Sequence, residues 1–135
     1  MKLNTYIFFD GCCEEAMTAY AHILGGRIGR MVRMRDMPGA PMPPGWDDKI
    51  MHMRLDLEGG SLMASDAPPE HRQKASGFYV QLDVATLADA ERIYASLKDG
   101  GEVRMPLQQT EWAQAFAMIV DRFGTPWMIN SEKSS

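Results

Sequence analysis

His52 is the side chain of this sequence best suited to proton transfer, because an imidazole changes its charge near neutral pH. It lies in the alternating run 50–57, whose apolar residues fall on one face and whose polar residues fall on the other. Alternation predicts that Ser65 and Gln81 lie on the same side as His52. There His52 could bind a polar ligand or act as a general base; the alternative is a histidine hydrogen-bonded within a sheet or at a subunit interface.

Aromatic side chains form a second candidate group. The segment that begins at residue 112 alternates large residues with alanines, which is the two-residue period of a strand. Its large residues predict either the wall of a small-molecule site, where aromatic side chains are common, or a hydrophobic core. The predicted ligand-binding residues of this group are Tyr79, Trp112 and Phe116.

Other polar residues favour structural roles. Asp66 and Asp121 are predicted to cap or form turns, since short acidic side chains bond to nearby backbone amides. Adjacent cysteines rarely bridge each other, so Cys12 and Cys13 are predicted to be free thiols in a reducing compartment. They could supply a reactive thiolate at a helix start or serve as small residues that fit there. The sequence shows no zinc-ligand spacing, phosphate loop or Ser-His-Asp order.

Length and charge restrict the function class. A chain of 135 residues is expected to form one domain with a sizeable core. The net charge of −4 gives nucleic-acid binding no electrostatic support. Neither an apolar run of about 18 residues nor a signal peptide is visible, so no membrane partner is expected and a cytoplasmic location is predicted.

The elements that must position these residues form two similar series. The first series predicts strands at 3–9, 27–37, 50–57 and 61–66, a helix at 14–24 and a loop at 38–48. The second predicts strands at 77–84 and 102–108, a helix at 86–98, and a closing hairpin at 112–130 with its turn at 121–126.

The two series form an internal repeat of strand, Asp, helix, Gly-Gly and three strands. Residues 10–26 match residues 83–101, with Asp at the start and Gly-Gly at the end of each. This pattern predicts an α+β fold of two βαβββ modules, 1–66 and 77–131, joined by a linker at 67–76. The modules are expected to curl into a half-open cup with the helices outside.

Several motifs carry a family resemblance. They are YIFFDGC at 6–12, YAHILGG at 20–26, MASD at 63–66, WAQAF at 112–116 and DRFGTPWMIN at 121–130. Together they resemble the vicinal-oxygen-chelate superfamily of glyoxalase I, extradiol dioxygenases and bleomycin-resistance proteins. The similarity is greatest to its PhnB-like branch, often labelled 3-demethylubiquinone-9 3-methyltransferase-like. The methyltransferase label has no support from a glycine-rich strand-to-helix turn.

The resemblance also implies where a metal would be held. Metal-binding relatives place His and Glu on four strands, at positions that fall near Thr5, Met63, Gly77 and Met128. None of these residues is a usual ligand of a divalent cation, so no cofactor is expected, with a divalent metal as the open alternative. Met63 and Met128 are instead expected to line the ligand site.

The resemblance further implies a homodimer with a small-molecule ligand. Two functions fit: an enzyme without the usual metal chemistry that uses His52 as acid or base, and a protein that sequesters an antibiotic or metabolite without catalysis. A dimeric scaffold with a vestigial pocket is the third alternative.

Overall fold

A computed structural model describes residues 1–39 and 41–133. The chain divides into two compact units, Met1–Gln73 and Lys74–Ser135, called here the first unit and the second unit. Among the residues described, no helix is long and apolar enough to span a membrane.

The first unit is a four-stranded sheet with one helix. Its strands pair in the order β1-β4-β3-β2, in which β1 runs parallel to β4 and the other pairs are antiparallel. The elements are β1 (Thr5–Phe9), α1 (Cys13–Leu24), β2 (Arg27–Arg33), β3 (Ile50–Leu57) and β4 (Gly60–Asp66).

The second unit repeats this arrangement. Its order is β5-β8-β7-β6, again with one parallel and two antiparallel pairs. The elements are β5 (Val80–Asp83), α2 (Leu87–Lys98), β6 (Glu102–Gln108), β7 (Ala113–Val120) and β8 (Pro126–Glu132). The predicted α+β class with two βαβββ modules is therefore confirmed.

Helix α1 covers one face of the first sheet. The apolar residues of β3 that point to this face, Met53 and Leu55, are fully buried. Phe9 and Tyr20 bring β1 and α1 together, with ring centroids 6.3 Å apart. The helix starts under Asp66, whose carboxylate accepts a hydrogen bond from the backbone N–H of Cys13 at 2.9 Å. The predicted capping role of Asp66 is thus confirmed.

Helix α2 covers one face of the second sheet in the same way. The hydroxyl of Thr86 accepts a hydrogen bond from the backbone N–H of Asp89 at 3.0 Å and caps the helix. The alanines of β7 lie buried on this face, which explains their small size: α2 packs close against β7 and β8. Trp127 and Ile129 are fully buried on the same face, as their alternation with Met128 predicts.

The paired glycines that end both helices have two different tasks. Gly25 and Gly100 take positive φ angles of 74° and 75°, which favour glycine. The second glycine of each pair lies against the sheet. A Cβ on Gly26 would come within 2.5 Å of a Leu57 side-chain carbon, and one on Gly101 within 2.4 Å of the Val120 carbonyl oxygen. Each sheet therefore needs its glycine for close approach.

Three predicted strands are longer than the observed ones, and the one at 3–9 begins two residues before β1. Strand β2 ends at Arg33 because the Asp36 carboxylate accepts a hydrogen bond from the Arg33 N–H and a 3₁₀ turn follows at Met34–Asp36. Strand β5 begins at Val80 rather than at Gly77, whose φ of 78° is incompatible with a strand. The segment 38–48 is irregular, as predicted, in all of its residues that the structure describes; Ala40 is not among them.

Arg33 fastens the loop to α1. Its guanidinium makes two hydrogen bonds to the Glu14 carboxylate, at 3.0 and 2.8 Å, and a third to the Asp48 carbonyl oxygen at 2.8 Å. The hydrogen bond from Arg33 lowers the pKa of Glu14, and the carboxylate in turn raises the pKa of Arg33. The loop end is thus held against the first turn of the helix.

The predicted match of Asp10 with Asp83 is not exact. The sheet register pairs Phe9 with Asp66 at the end of β1 and Asp83 with Asn130 at the end of β5. The Asp-to-Asp match fails because Asp10 follows its strand, whereas Asp83 is the last residue within its strand.

Candidate functional site

The sheet face turned away from α1 carries the candidate residues of the first unit. Met63 on β4 lies beside Tyr6 on β1 and Arg54 on β3, and Phe8 lies beside Ser65. His52 shares this face with Arg54, because side chains two apart on a strand point the same way. The first open face is thus formed by Tyr6, Phe8, His52, Arg54, Met63 and Ser65.

Tyr6 and His52 form a polar contact across the first open face. The Tyr6 hydroxyl oxygen lies 3.3 Å from His52 Nδ1, and the two ring centroids are 5.8 Å apart. Phe8 adds a second ring, 5.1 Å from that of Tyr6. Tyr6 is 42% exposed and Phe8 is 60% exposed. Aromatic side chains contribute most to stability when they are buried. The face therefore offers a hydroxyl and an imidazole next to an uncovered aromatic surface.

A charged network lies on the same side of the sheet. Arg54 Nε donates a hydrogen bond to Asp56 Oδ1 at 2.7 Å, and the Ser61 hydroxyl donates to the same oxygen at 3.0 Å. These two hydrogen bonds, of which the one from Arg54 has the larger effect, lower the pKa of the half-buried Asp56. The guanidinium is thereby held beside Met63, where it can meet a polar ligand atom.

The face turned away from α2 carries the candidate residues of the second unit. Met128 on β8 lies beside Gln81 on β5 and Met118 on β7. Two residues further along β8, Asn130 lies beside Asp83 on β5 and Phe116 on β7. These six residues form the second open face. Met105 on β6 pairs with Met118 and extends the row of thioethers across three strands.

Hydrogen bonds converge on one carboxylate oxygen of this face. Gln81 Nε2 donates to Asp83 Oδ1 at 2.9 Å, and Asn130 Nδ2 donates to the same oxygen at 3.0 Å. The Asp83 side chain is exposed, whereas Asn130 is only 7% exposed. The cluster joins a solvent-facing charge to a buried carboxamide.

Trp112 lies at a turn before β7, so its predicted place within the strand is wrong. The backbone N–H and carbonyl of Ala113 both bond to Thr110, which closes a turn with Trp112 near its tip. Trp112 is 61% exposed, and its ring meets that of Phe116 edge-on at 5.5 Å. Trp112 therefore joins the second open face through Phe116, which is itself only 8% exposed.

The predicted site residues fall into two groups. His52, Met63 and Ser65 lie together on the first open face. Gln81, Phe116 and Met128 lie together on the second. Tyr79 is half-buried and lies just before β5, and its contact with a ligand stays a prediction.

Sequence reasoning missed Asp83 and Asn130, and it gave Tyr6 and Phe8 no role. The alternation of β1 could have identified the two aromatic residues. Thr5, predicted at the metal-ligand position of β1, pairs with buried Leu62 and points to the helix side. Tyr6 occupies the position next to Met63 instead.

The donor set of these faces does not suit a divalent cation. Within residues 1–39 and 41–133, no group of three or more His, Cys, Asp or Glu side chains is placed to hold a metal ion. The resemblance relates metal-ligand positions to Thr5, Met63, Gly77 and Met128, but Thr5 points to the helix side and Gly77 lies before β5. The residues that pair with the two methionines are Tyr6, beside Met63, and Gln81, beside Met128. Thioethers and neutral amides bind hard cations weakly.

The remaining polar candidates have structural partners. Asp66 Oδ2 also accepts a hydrogen bond from the Ile50 N–H at 2.9 Å, so its carboxylate joins α1 to β3. Cys12 and Cys13 are free thiols. Burial, and next the negative charge of Asp66, raise the pKa of both thiols. The cysteines are therefore protonated at neutral pH, which argues against a reactive thiolate.

Asp121 forms the turn between β7 and β8, as predicted. One carboxylate oxygen accepts hydrogen bonds from the N–H groups of Phe123 and Thr125, and the other accepts from Trp127 Nε1. The residue is thus fully engaged in holding the hairpin together.

Comparison with known proteins agrees with this architecture. A model of the Glyoxalase/Bleomycin resistance protein/Dioxygenase superfamily matches residues 2–129. Protein YjdN of Escherichia coli (strain K12) is 32% identical, with 98% of this chain and 97% of that protein covered.

Two solved structures share the fold. Protein PA1353 from Pseudomonas aeruginosa is 40% identical, with a TM-score of 0.87 and 99% of each chain covered. The PhnB protein from Bacillus cereus is 23% identical, with a TM-score of 0.83, and the match covers 97% of this chain and 99% of that one. The predicted PhnB-like resemblance is confirmed, and the chain belongs to the Glyoxalase/Bleomycin resistance protein/Dioxygenase superfamily.

Proposed function

We propose that this protein binds a small molecule on its open sheet faces and that His52 and Tyr6 form an acid/base pair for its transformation. The observation that carries the proposal is the 3.3 Å contact between the Tyr6 hydroxyl and His52 Nδ1, next to the uncovered rings of Tyr6 and Phe8. Uncovered aromatic surface beside a few polar groups is the usual composition of a small-molecule site.

The pair can move protons in both directions. A neutral imidazole has one N–H and one lone pair. When Nδ1 carries the proton and donates to the Tyr6 oxygen, the Nε2 lone pair is available to take a proton from a ligand. The Tyr6 O–H is then available to donate to a ligand oxygen. His52 acts as general base and Tyr6 as hydrogen-bond donor or acid.

The proposed chemistry uses no divalent metal, because the donor set of the two faces does not suit one. Elemental analysis of the purified protein is expected to give less than stoichiometric Ni, Zn, Fe and Mn. A stoichiometric metal that is retained through dialysis and lost in a Met63 or Met128 variant would contradict this part of the proposal.

A protein that sequesters its ligand without catalysis is the second candidate. The second open face favours it, because the thioethers of Met118 and Met128 and the ring of Phe116 present apolar groups for binding. The two candidates differ in what happens to the bound molecule. Mass spectrometry after incubation with wild-type protein shows a changed ligand for the enzyme and an unchanged ligand for the sequestering protein.

The test is a thermal-shift screen of thiol adducts, aromatic diols and glycopeptide-like antibiotics. A ligand at a concentration of about 100 times its Kd stabilises by about 2.7 kcal/mol, which raises the Tm of a chain of this size by roughly 5–10 °C. The matched pair of variants is His52→Ala and His22→Ala. His22 is an exposed histidine on α1, so its replacement removes an imidazole without touching the open face.

The proposed function requires a ligand that stabilises wild type and His22→Ala to the same extent and His52→Ala distinctly less. If no compound stabilises wild type more than His52→Ala, the role of His52 is refuted. A Tyr6→Phe variant completes the test, because it keeps the ring and removes only the hydroxyl that contacts Nδ1.

A further inference from the structure

The polar cluster of the second open face has more acceptors than donors. The side-chain donors of Gln81 and Asn130 both point at one oxygen of Asp83. This arrangement leaves Asp83 Oδ2, the Asn130 carbonyl oxygen and the Gln81 carbonyl oxygen as the acceptors that face other groups. Each amide keeps one further N–H, and these acceptors suit a molecule that supplies hydrogen-bond donors.

The Asn130 carbonyl oxygen is the clearest of these acceptors. It is buried and has no hydrogen-bond partner in the described residues. Exchanging the amide oxygen and nitrogen would set two oxygens 3.0 Å apart against each other, so the contact with Asp83 fixes the orientation of the amide. A buried acceptor without a partner is unfavourable and is uncommon in native proteins. A donor delivered by a ligand would satisfy it once the side chains that cover the oxygen move aside.

The charge of the cluster indicates the sign of that ligand. Asp83 is exposed, and no ion pair within residues 1–39 and 41–133 involves it. Its carboxylate is therefore available to a cation. Phe116 lies directly beside Asn130 on the neighbouring strand, and its ring makes an edge-on contact with the ring of Trp112. Aromatic rings attract cations and pack against aromatic groups.

We propose that the second open face binds the primary ammonium group of an aromatic amine. This inference rests on the proposed function, since it names the ligand class for one of the two faces. The ammonium has three N–H donors for Asp83, Asn130 and Gln81, and the aromatic part packs on Trp112 and Met128, which are more exposed than Phe116. Calcium does not fit, because it takes six to eight oxygens and the cluster has one carboxylate.

The test is calorimetric titration of the full-length protein with 2-phenylethylamine and two analogues. 2-Phenylethanol keeps the ring and loses the charge. The N,N,N-trimethyl derivative keeps the charge and loses every N–H donor. Both analogues are expected to bind at least about tenfold more weakly than the amine, because each loses charge-assisted hydrogen bonds.

Two matched variants locate the binding. Asp83→Asn removes the charge and keeps the shape, and it is expected to weaken binding of the amine at least about tenfold. Asp99→Asn removes an exposed charge just after α2 in the same unit and is expected to leave binding unchanged. Because Asp83 is exposed, the variant should fold, and an unchanged melting temperature in the absence of ligand verifies this.

The inference is overturned if wild type does not bind the amine at millimolar concentration, if Asp83→Asn binds it as well as wild type, or if Asp99→Asn weakens it equally. Equal binding of the trimethyl analogue would overturn the role of Asn130. These failures are separate from those of the proposed function, which depends on His52. A ligand that needs His52, found together with no binding of the amine, refutes the ammonium site alone.

Discussion

Replacing Asp121 by asparagine changes one atom of a buried carboxylate that holds the last hairpin. Asp121 is 6% exposed. One oxygen accepts from the N–H groups of Phe123 and Thr125, at 2.9 and 3.0 Å. The other accepts from Trp127 Nε1 at 2.8 Å. Asparagine keeps one oxygen for the two backbone groups and places an NH₂ group against the indole N–H.

The size of the effect follows from the contact that is lost. A hydrogen bond to a charged group contributes about 1.5–3 kcal/mol, and a buried donor left without an acceptor is unfavourable by about 1–3 kcal/mol. We therefore expect Asp121→Asn to lower the free energy of unfolding by about 3 kcal/mol. For a domain of this size the melting temperature should fall by roughly 10 °C.

A double-mutant cycle separates this contact from general damage. Trp127→Phe removes the indole N–H, so in its background the introduced NH₂ no longer faces a donor. We expect Asp121→Asn to destabilise Trp127→Phe by about 2 kcal/mol less than it destabilises wild type. Equilibrium unfolding in urea of the four proteins measures the difference, with Asp99→Asn as an exposed control.

The reasoning is refuted if the cost of Asp121→Asn is the same in both backgrounds within about 0.5 kcal/mol, because additive effects mean that the two side chains do not interact. A large change in the slope of free energy against urea concentration would instead indicate an altered unfolded state.

Two further predictions concern packing and pH. Gly101→Ala should lower the free energy of unfolding by about 2–3 kcal/mol, because the added Cβ would clash with the Val120 carbonyl oxygen. Gly60→Ala is the control: a Cβ there meets nothing within 4 Å, so this variant should be nearly as stable as wild type when both are unfolded in urea. If the two variants are equally stable, the close approach of Gly101 to β7 is wrong. Burial raises the pKa of the Cys13 thiol in the folded protein. Above the ordinary thiol pKa of about 8.5, the unfolded chain therefore releases a proton that the folded chain keeps. The free energy of unfolding should consequently fall as the pH rises. Urea unfolding from neutral to alkaline pH should show this fall in wild type and a smaller one in Cys13→Ala; an identical fall in both would contradict it.

Much of the fold could be predicted because strands and helices leave periodic patterns in the sequence. The alternation of residues 50–57 identified both faces of β3, and the Gly-Gly pairs identified both helix ends. The strand register could not be predicted in this way, because it depends on which residues pair across strands. The sequence alone matched Asp83 to Asp10, whereas Asp83 is the last residue of β5 and Asp10 follows β1.

The candidate site was predicted less completely for the same reason. Alternation grouped His52 correctly with Ser65, but it also added Gln81, which lies on the second sheet. Met63 was placed by the resemblance. The contact between Tyr6 and His52 joins two strands that are not adjacent in the sheet, and no local pattern encodes it. The cluster of Asp83 and Asn130 joins residues 47 positions apart. Such contacts follow from the sheet order.

The thioether side chains on the two open faces make each face observable by nuclear magnetic resonance. Met63 belongs to the first open face, and Met118 and Met128 belong to the second. With methionine labelled at its terminal methyl carbon, each of these side chains would give one sharp signal that responds to nearby aromatic rings. A ligand that shifts the signal of Met63 would lie on the face of His52, and one that shifts those of Met118 and Met128 would lie on the face of Asp83. These methionine signals would therefore show which of the two sheets binds a ligand.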